Sequence, residues 1–327
     1  MSSPILKLVA QRIVLGILLL LAVSVLIFVG TQILPGDVAQ SILGQSATPE
    51  ALKNLRAAMG LNDPAYIRYI RWLGSVLAGD LGTALSSGQD IGSSIWPRLK
   101  NTLFLGGCAA TVAVPLAILL GLLAVRYRNG GVDKAISGLA LASTSFPEFF
   151  ISYVLVFLFA VPHLDWFVLQ EPLFPAISTV DDSTSFLERL QAVVLPATAL
   201  TLVVLAHMMR MTRAAILNVM QSAYIETAEL KGLKPFNIIR KHAFPNAIAP
   251  VVNVVMLNLA YLIVGVVVVE VIFVYPGMGQ YLVDHVAKRD VPVVQAVGLI
   301  FAAVYITLNI IADIVAIVAN PRLRHPK

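Results

Sequence analysis

Charge is scarce in this chain. Asp, Glu, Lys and Arg make up 13% of its 327 residues, about half the ~25% typical of a soluble globular domain. Set against 58% hydrophobic residues and a mean hydropathy of +0.85, this excludes a large aqueous core and points to a bilayer as the solvent. Cysteine is all but missing. Cys108 alone excludes an internal disulfide framework and a cysteine metal site; its apolar surroundings suit a small packing residue. His163, His207, His242, His285 and His325 show no metal-ligand spacing such as His-Glu-x-x-His, and no Gly-x-Ser-x-Gly elbow occurs. An intramembrane hydrolase is therefore disfavoured, and no metal or other cofactor is expected. No Gly-Lys dipeptide exists, so there is no Walker A phosphate loop. The net charge of +5 is not gathered into a basic patch with aromatics, so nucleic acid is not an expected partner.

What the chain does have is six long runs without charge, each near the ~20 residues a spanning helix needs. They lie at 13–36, 101–125, 135–164 (broken only by Glu148), 190–209, 242–269 and 291–312. The first is too long for the apolar part of a signal peptide and reads as an uncleaved span. Lys and Arg gather on alternate connections. With the N-terminus inside, the inner segments carry 14 of them and the short outer loops three, Arg189, Lys288 and Arg289. The loop from Asp165 to Glu188 has five acids and no Lys or Arg. Both termini are therefore expected in the cytoplasm.

Two segments outside the spans carry further pattern. In the external one, about 35–100, Ala51–Met59 reads as a short helix. Pro64 opens a second, Ala65–Leu77, whose Ile67, Ile70, Leu73 and Leu77 form an apolar stripe beside Tyr66, Tyr69 and Trp72. That helix suits a membrane surface or the side of another helix. In the internal one, about 210–247, a helix over Tyr224–Leu233 is expected to end at Gly232, with Pro235 following. Ile225, Ala228 and Gly232 share its face, and small residues there suit close seating in a partner's groove.

The same internal segment carries a spaced motif. Glu226-Thr227-Ala228 is followed by Gly232 six residues after the Glu, Ile238 at twelve and Pro245 at nineteen. It resembles the Glu-Ala-Ala loop of ABC importer permeases, with Thr227 in place of the commoner Ala, and His242 and Phe244 at that loop's later Ile and Leu positions. Leu34-Pro35-Gly36-Asp37, Gly60-Leu61-Asn62-Asp63-Pro64, Gly79-Asp80-Leu81-Gly82, Arg210-Met211-Thr212-Arg213 and Glu270 through Gly279 are similar to the dipeptide/oligopeptide/nickel branch, specifically its first permease subunit. The likeness runs from about residue 8 to 322.

The resemblance implies an all-α polytopic membrane protein with six transmembrane helices in the type-I ABC importer fold. It implies three parts: 1–96, the first span with the external segment; 97–318, the permease core; and 319–327, a cytoplasmic tail. It further implies a second homologous permease subunit, two cytoplasmic ATP-binding subunits and an extracytoplasmic substrate-binding protein as partners. The chain itself is then not an enzyme. Glu226, Thr227, Ala228, Gly232 and Pro245 are the expected contact with the ATPase. Glu226 would anchor by polar contacts, and Ala228 and Gly232 would permit close approach. Di- and oligopeptides are the first expected solute, with nickel chelates, glutathione, opines and oligosaccharides as alternatives within the class. An ATP-independent secondary transporter would need internal symmetry that is not visible.

Charged residues at membrane depth are candidates for function. Glu148, after Pro147, is a candidate for the translocation path, and Glu270, near the outer end of the fifth span, for a gate or a structural pair. Asp313 reads as interfacial, and His207 as a packing or interfacial residue.

Overall fold

The computed structural model describes residues 4–33, 47–58, 60, 62–161, 172–181 and 183–319. Leu34-Pro35-Gly36-Asp37, Met59, Leu61, His163, Asp165, Glu171, Asp182, the tail from 320 with Arg322 and Arg324, and His325 lie outside the described residues. Among those described, all regular elements are helical: α1 Pro4–Ile33, α2 Pro49–Ala58, α3 Ala65–Leu77, α4 Ile91–Arg126, α5 Gly131–Ser145, α6 Glu148–Phe159, α7 Phe186–Ala192, α8 Val194–Met220, α9 Ala223–Leu230, α10 Pro235–Ile238, α11 Phe244–Ile272, α12 Met278–Ala287 and α13 Val291–Ala319. One π-helical turn, Ile239–Ala243, joins α10 to α11. Five stretches are long and apolar enough to cross a membrane, and α5 with α6 make a sixth if counted as one broken span.

That break is the main departure from the expected spans. The third run was read as one helix loosened at Pro147; instead α5 and α6 meet at 103°. Proline supplies no N–H and excludes its predecessor from the helical region, and Phe146 is extended at φ −95° and ψ 135°. Bilayer interiors leave backbone carbonyls no water. Here Thr144 and Ser145 both donate their hydroxyls to Leu141 O at 2.9 Å.

The second run also differs. It forms the middle of a 36-residue helix, α4, about 54 Å long against a hydrocarbon core of ~30 Å. Its start is set by Asp90, which accepts from Ser93 N at 2.6 Å as an N-cap. α4 is therefore about 24 Å longer than the hydrocarbon is thick.

The centre of the bundle is a seam of small side chains. Leu105, Ala109, Ala113 and Ala117, four residues apart along α4, are fully buried against α8 and α11. Small residues at this spacing let helix backbones approach closely. At Gly121, the next position, a Cβ would lie 2.9 Å from Thr212 Cγ2. The apolar partners across the seam are Leu200, Val204 and Met208 of α8 with Leu262 and Val266 of α11.

α1 stands at the side of this bundle, running antiparallel to α13. Arg12 pairs with Asp313 at 3.1 Å at one end, and Gln295 donates to Thr31 Oγ1 at 2.7 Å at the other. α3 lies on α1, as one of its two expected sites allows: Tyr69 meets Phe28 edge to face and Trp72 packs tilted against it, at 5.4 and 6.0 Å between ring centroids, and the Tyr69 hydroxyl meets Ser24 Oγ at 2.8 Å.

Candidate functional site

The connection between α8 and α11 folds as a hook at the end of the bundle opposite α12. Its helix is shorter than expected: α9 covers Ala223–Leu230. Gly232 stops it at φ +75°, the left-handed conformation that favours glycine. Lys231 and Gly232 donate their backbone N–H groups back to Thr227 O at 3.1 Å and Glu229 O at 2.8 Å. The chain re-enters a helix at Pro235, and Pro245 occupies the first turn of α11, where its missing N–H costs no hydrogen bond.

The orientation of α9 bears on one expectation. Ala228, read as a point of close approach for a partner, is turned inward with Ile225. Both pack on Ile216 of α8, Ile238 and Ile239 after the hook, and Ala243 and Ala247 at the start of α11. The apolar side of a short helix is stabilised by its own chain before any partner can use it. The side left outward holds Tyr224, Glu226, Thr227 and Leu230, with Leu230 83% exposed. Gly232 and Pro245 are exposed as well. The hook therefore unites the five expected contact residues in one segment, but divides them between an inner and an outer side.

Just above the hook lies an ion pair that inspection of the sequence missed. Arg213 of α8 donates from Nε and Nη2 to the two oxygens of Asp133 of α5, at 2.9 and 2.8 Å. Such a fork-on-fork pair fixes orientation as well as distance. Asn129 N adds a third bond to Asp133 at 3.0 Å. Asp133 and Arg213 stand 80 residues apart, so no local spacing could have signalled the contact.

Glu148 and Glu270, the two acids singled out at membrane depth, lie on different faces of α11. Glu270 makes the structural pairing that was one of its two alternatives. It is completely buried and accepts from Thr102 Oγ1 at 2.6 Å, Gly279 N at 2.7 Å and Gln280 N at 3.2 Å. Thr102 in turn accepts from Met278 N at 2.8 Å. The carboxylate thus caps the first turn of α12, where unpaired N–H groups favour negative charge, and ties that turn to α4. A Cβ on Gly277 would fall inside the Glu270 carboxyl group, and one on Gly279 would stand 2.5 Å from Val267 Cα. Beside this latch the Tyr275 hydroxyl donates to Asn101 O at 3.1 Å. Burial pushes that phenol above its ordinary value, keeping it a neutral donor.

Glu148 opens α6 immediately after the break. Its carboxyl group lies against Gly265, where a Cβ would be 3.5 and 3.6 Å from the two oxygens. Oε1 is buried without a hydrogen-bond partner. Further along α11, Asn258 is buried and its Oδ1 meets His207 Nδ1 of α8 at 3.1 Å. His207 is exposed, which suits the interfacial of its two readings better than the packing one. Among the described residues no cluster of three His, Cys, Asp or Glu side chains has the geometry to hold a metal ion.

Known proteins resemble this chain in sequence over nearly its whole length. The family model described as binding-protein-dependent transport system inner membrane component matches residues 113–325, and its N-terminal companion matches residues 5–95. A putative peptide transport system permease protein of Brucella abortus (strain 2308) is 35% identical over 325 residues, spanning 99% of this chain and 100% of that protein. The dipeptide transport system permease protein of Escherichia coli (strain K12) is 34% identical over 338 residues, spanning 98% and 100%. That of Alkalihalophilus pseudofirmus is 32% identical over 330 residues, spanning 96% and 98%. Matched over most of its length by these models and relatives, the chain belongs to the binding-protein-dependent transport system inner membrane components, the multi-pass permease subunits of ABC importers.

Proposed function

We propose that this chain forms half of a pore for short peptides and takes its energy from a separate ATPase through the hook around α9. Relatives at 34% and 35% identity over nearly the whole chain carry peptide or dipeptide transport names, which favours peptides over the other solutes of the class. The observation that carries the coupling role is the division of the hook. Ile225 and Ala228 anchor it to α8 and α11, while Tyr224, Glu226, Thr227 and Leu230 face outward. An exposed leucine among polar residues is a ready anchor for a partner's groove. A push on the hook passes directly to two spanning helices, as a two-state rocking mechanism needs.

In this reading both termini and the hook are cytoplasmic, and an external binding protein delivers the peptide at the α12 end. A second permease subunit completes the pore, and two ATP-binding subunits hydrolyse the nucleotide. Residues 1–96 form the N-terminal addition, 97–318 the permease core and 319–327 a tail. The test uses the complete importer in proteoliposomes, with ATP hydrolysis and uptake of labelled alanyl-alanine measured together. Leu230→Asp and Gly232→Val are expected to lower ATP-driven uptake at least about fivefold. The first removes an anchor of ~1.5–3 kcal/mol, and the second strains a left-handed residue by about 1–2 kcal/mol. Full ATP-coupled uptake by both variants would sink the coupling role.

A further inference from the structure

One face of the bundle carries polar groups that a purely lipid-facing surface would lack. Along α11, Asn258, Tyr261 and Gly265 stand at i, i+3 and i+7, within one helical stripe about 10 Å long. At one end of the stripe the Glu148 carboxyl group lies over Gly265, with Oε1 buried and unpartnered. At the other, Asn258 holds His207 at 3.1 Å. Tyr261 stands between them, 53% exposed, and its ring borders Gly265, with Cε1 3.8 Å from where a Cβ would be.

These groups have no role in the latch at Glu270 or in the hook. α1 shows what a lipid-compatible face looks like: Leu15, Leu18 and Leu26 are exposed there, and no ionisable residue lies between positions 15 and 26. Ionisable groups at membrane depth face a bundle interior or a water-filled cavity, not acyl chains. At position 265 the carboxyl group lies within ordinary van der Waals reach of the α11 backbone. The break at Pro147 is what delivers Glu148 to this point.

We infer that this stripe lines the translocation path, with Glu148 as the residue that receives a cationic group of the passing solute and Tyr261 and the His207–Asn258 pair as the polar wall beyond it. The inference rests on the permease reading. For a peptide the cationic group is the terminal ammonium, and the ~10 Å stripe matches an extended chain of about three residues. Phe149 and Tyr153, the next residues of α6 on that side, border an apolar groove with Val268 and Val271 of α11, which suits an apolar side chain next to the ammonium.

The test places single cysteines at this face in the assembled importer. On a Cys108→Ala background, Tyr261→Cys is reacted with cationic and anionic methanethiosulfonates of similar size. Leu257→Cys, one turn away and also exposed, is the second probe should the first fail to assemble. Leu26→Cys on α1 is the lipid-facing control. The expected result is reaction at 261 or 257 but not at 26, with the cationic reagent faster by about tenfold, as a nearby unit negative charge in a poorly screened site requires. Adding Glu148→Gln should bring that ratio close to one. Probes as unreactive as the control, or a ratio unchanged by Glu148→Gln, overturn the inference. Uptake of labelled alanyl-alanine is scored separately: charge-selective labelling without uptake of that peptide keeps the lining and removes the peptide reading.

Discussion

Glu270 illustrates how a buried acid at membrane depth can serve the fold and not the solute. Three donors converge on it, from Thr102, Gly279 and Gln280, and no part of it is open to a passing molecule. Each buried donor left without an acceptor costs about 1–3 kcal/mol. Glu270→Ala is therefore expected to destabilise the protein by at least about 3 kcal/mol, read as a lower midpoint in a denaturant titration of the detergent-solubilised permease. A change within about 0.5 kcal/mol, the range of an indifferent surface substitution, would show that the latch is not what holds α12. Glu148 is the opposite case. It has a buried oxygen with no partner and stands beside Tyr261 and the His207–Asn258 pair, which is why path-lining is proposed for it and not for Glu270.

Among the helices, the broken third span and the hook are joined through one contact. Asp133 at the start of α5 and Arg213 near the end of α8 tie the element that carries Glu148 to the element that continues into α9. Their side chains keep 6% and 27% exposure, so the pair is well desolvated, and removing one partner of such a pair costs about 3–5 kcal/mol. Asp133→Asn and Arg213→Gln are each expected to cost about 3 kcal/mol, at the lower end because Arg213 retains some water. A double-mutant cycle should return a coupling energy of about 2 kcal/mol or more, since residues in direct contact do not act additively. Additive losses would mean that α5 and α8 are held by the surrounding packing and that this pair transmits nothing between them.

For the whole permease, the arrangement across the bilayer sets where each partner can bind. The proposal puts the hook inside and the loop between α3 and α4 outside, following the Lys and Arg distribution. That loop is tied to the bundle by Asp290, which accepts from Leu85 N and Ser86 N at 3.1 and 2.9 Å. With Cys108 replaced, a cysteine at exposed Ser87 should react with a membrane-impermeant maleimide in intact cells. One at exposed Lys231 should react only after permeabilisation. The reverse pattern would invert the topology and remove both the ATPase and the binding protein from their proposed sides.

Much of this was legible in residue order because bilayer insertion is a local rule. Low charge and ~20-residue apolar runs set the spans, Pro64 and Gly232 mark helix ends by backbone sterics, and the spacing from Glu226 to Pro245 gave the family likeness before any contact was known. The outcomes that escaped such reading all depend on distant parts of the chain meeting. Whether Pro147 merely loosens a helix or turns it by 103° depends on what receives the bent half. Whether Ala228 faces a partner or its own core depends on Ile216 and Ala247. Whether Glu270 is open or sealed depends on Thr102, 168 residues away. Periodicity and charge report on neighbours within a helical turn or a bilayer thickness. Burial and pairing are set by packing between helices, so they became visible only when the helices were assembled.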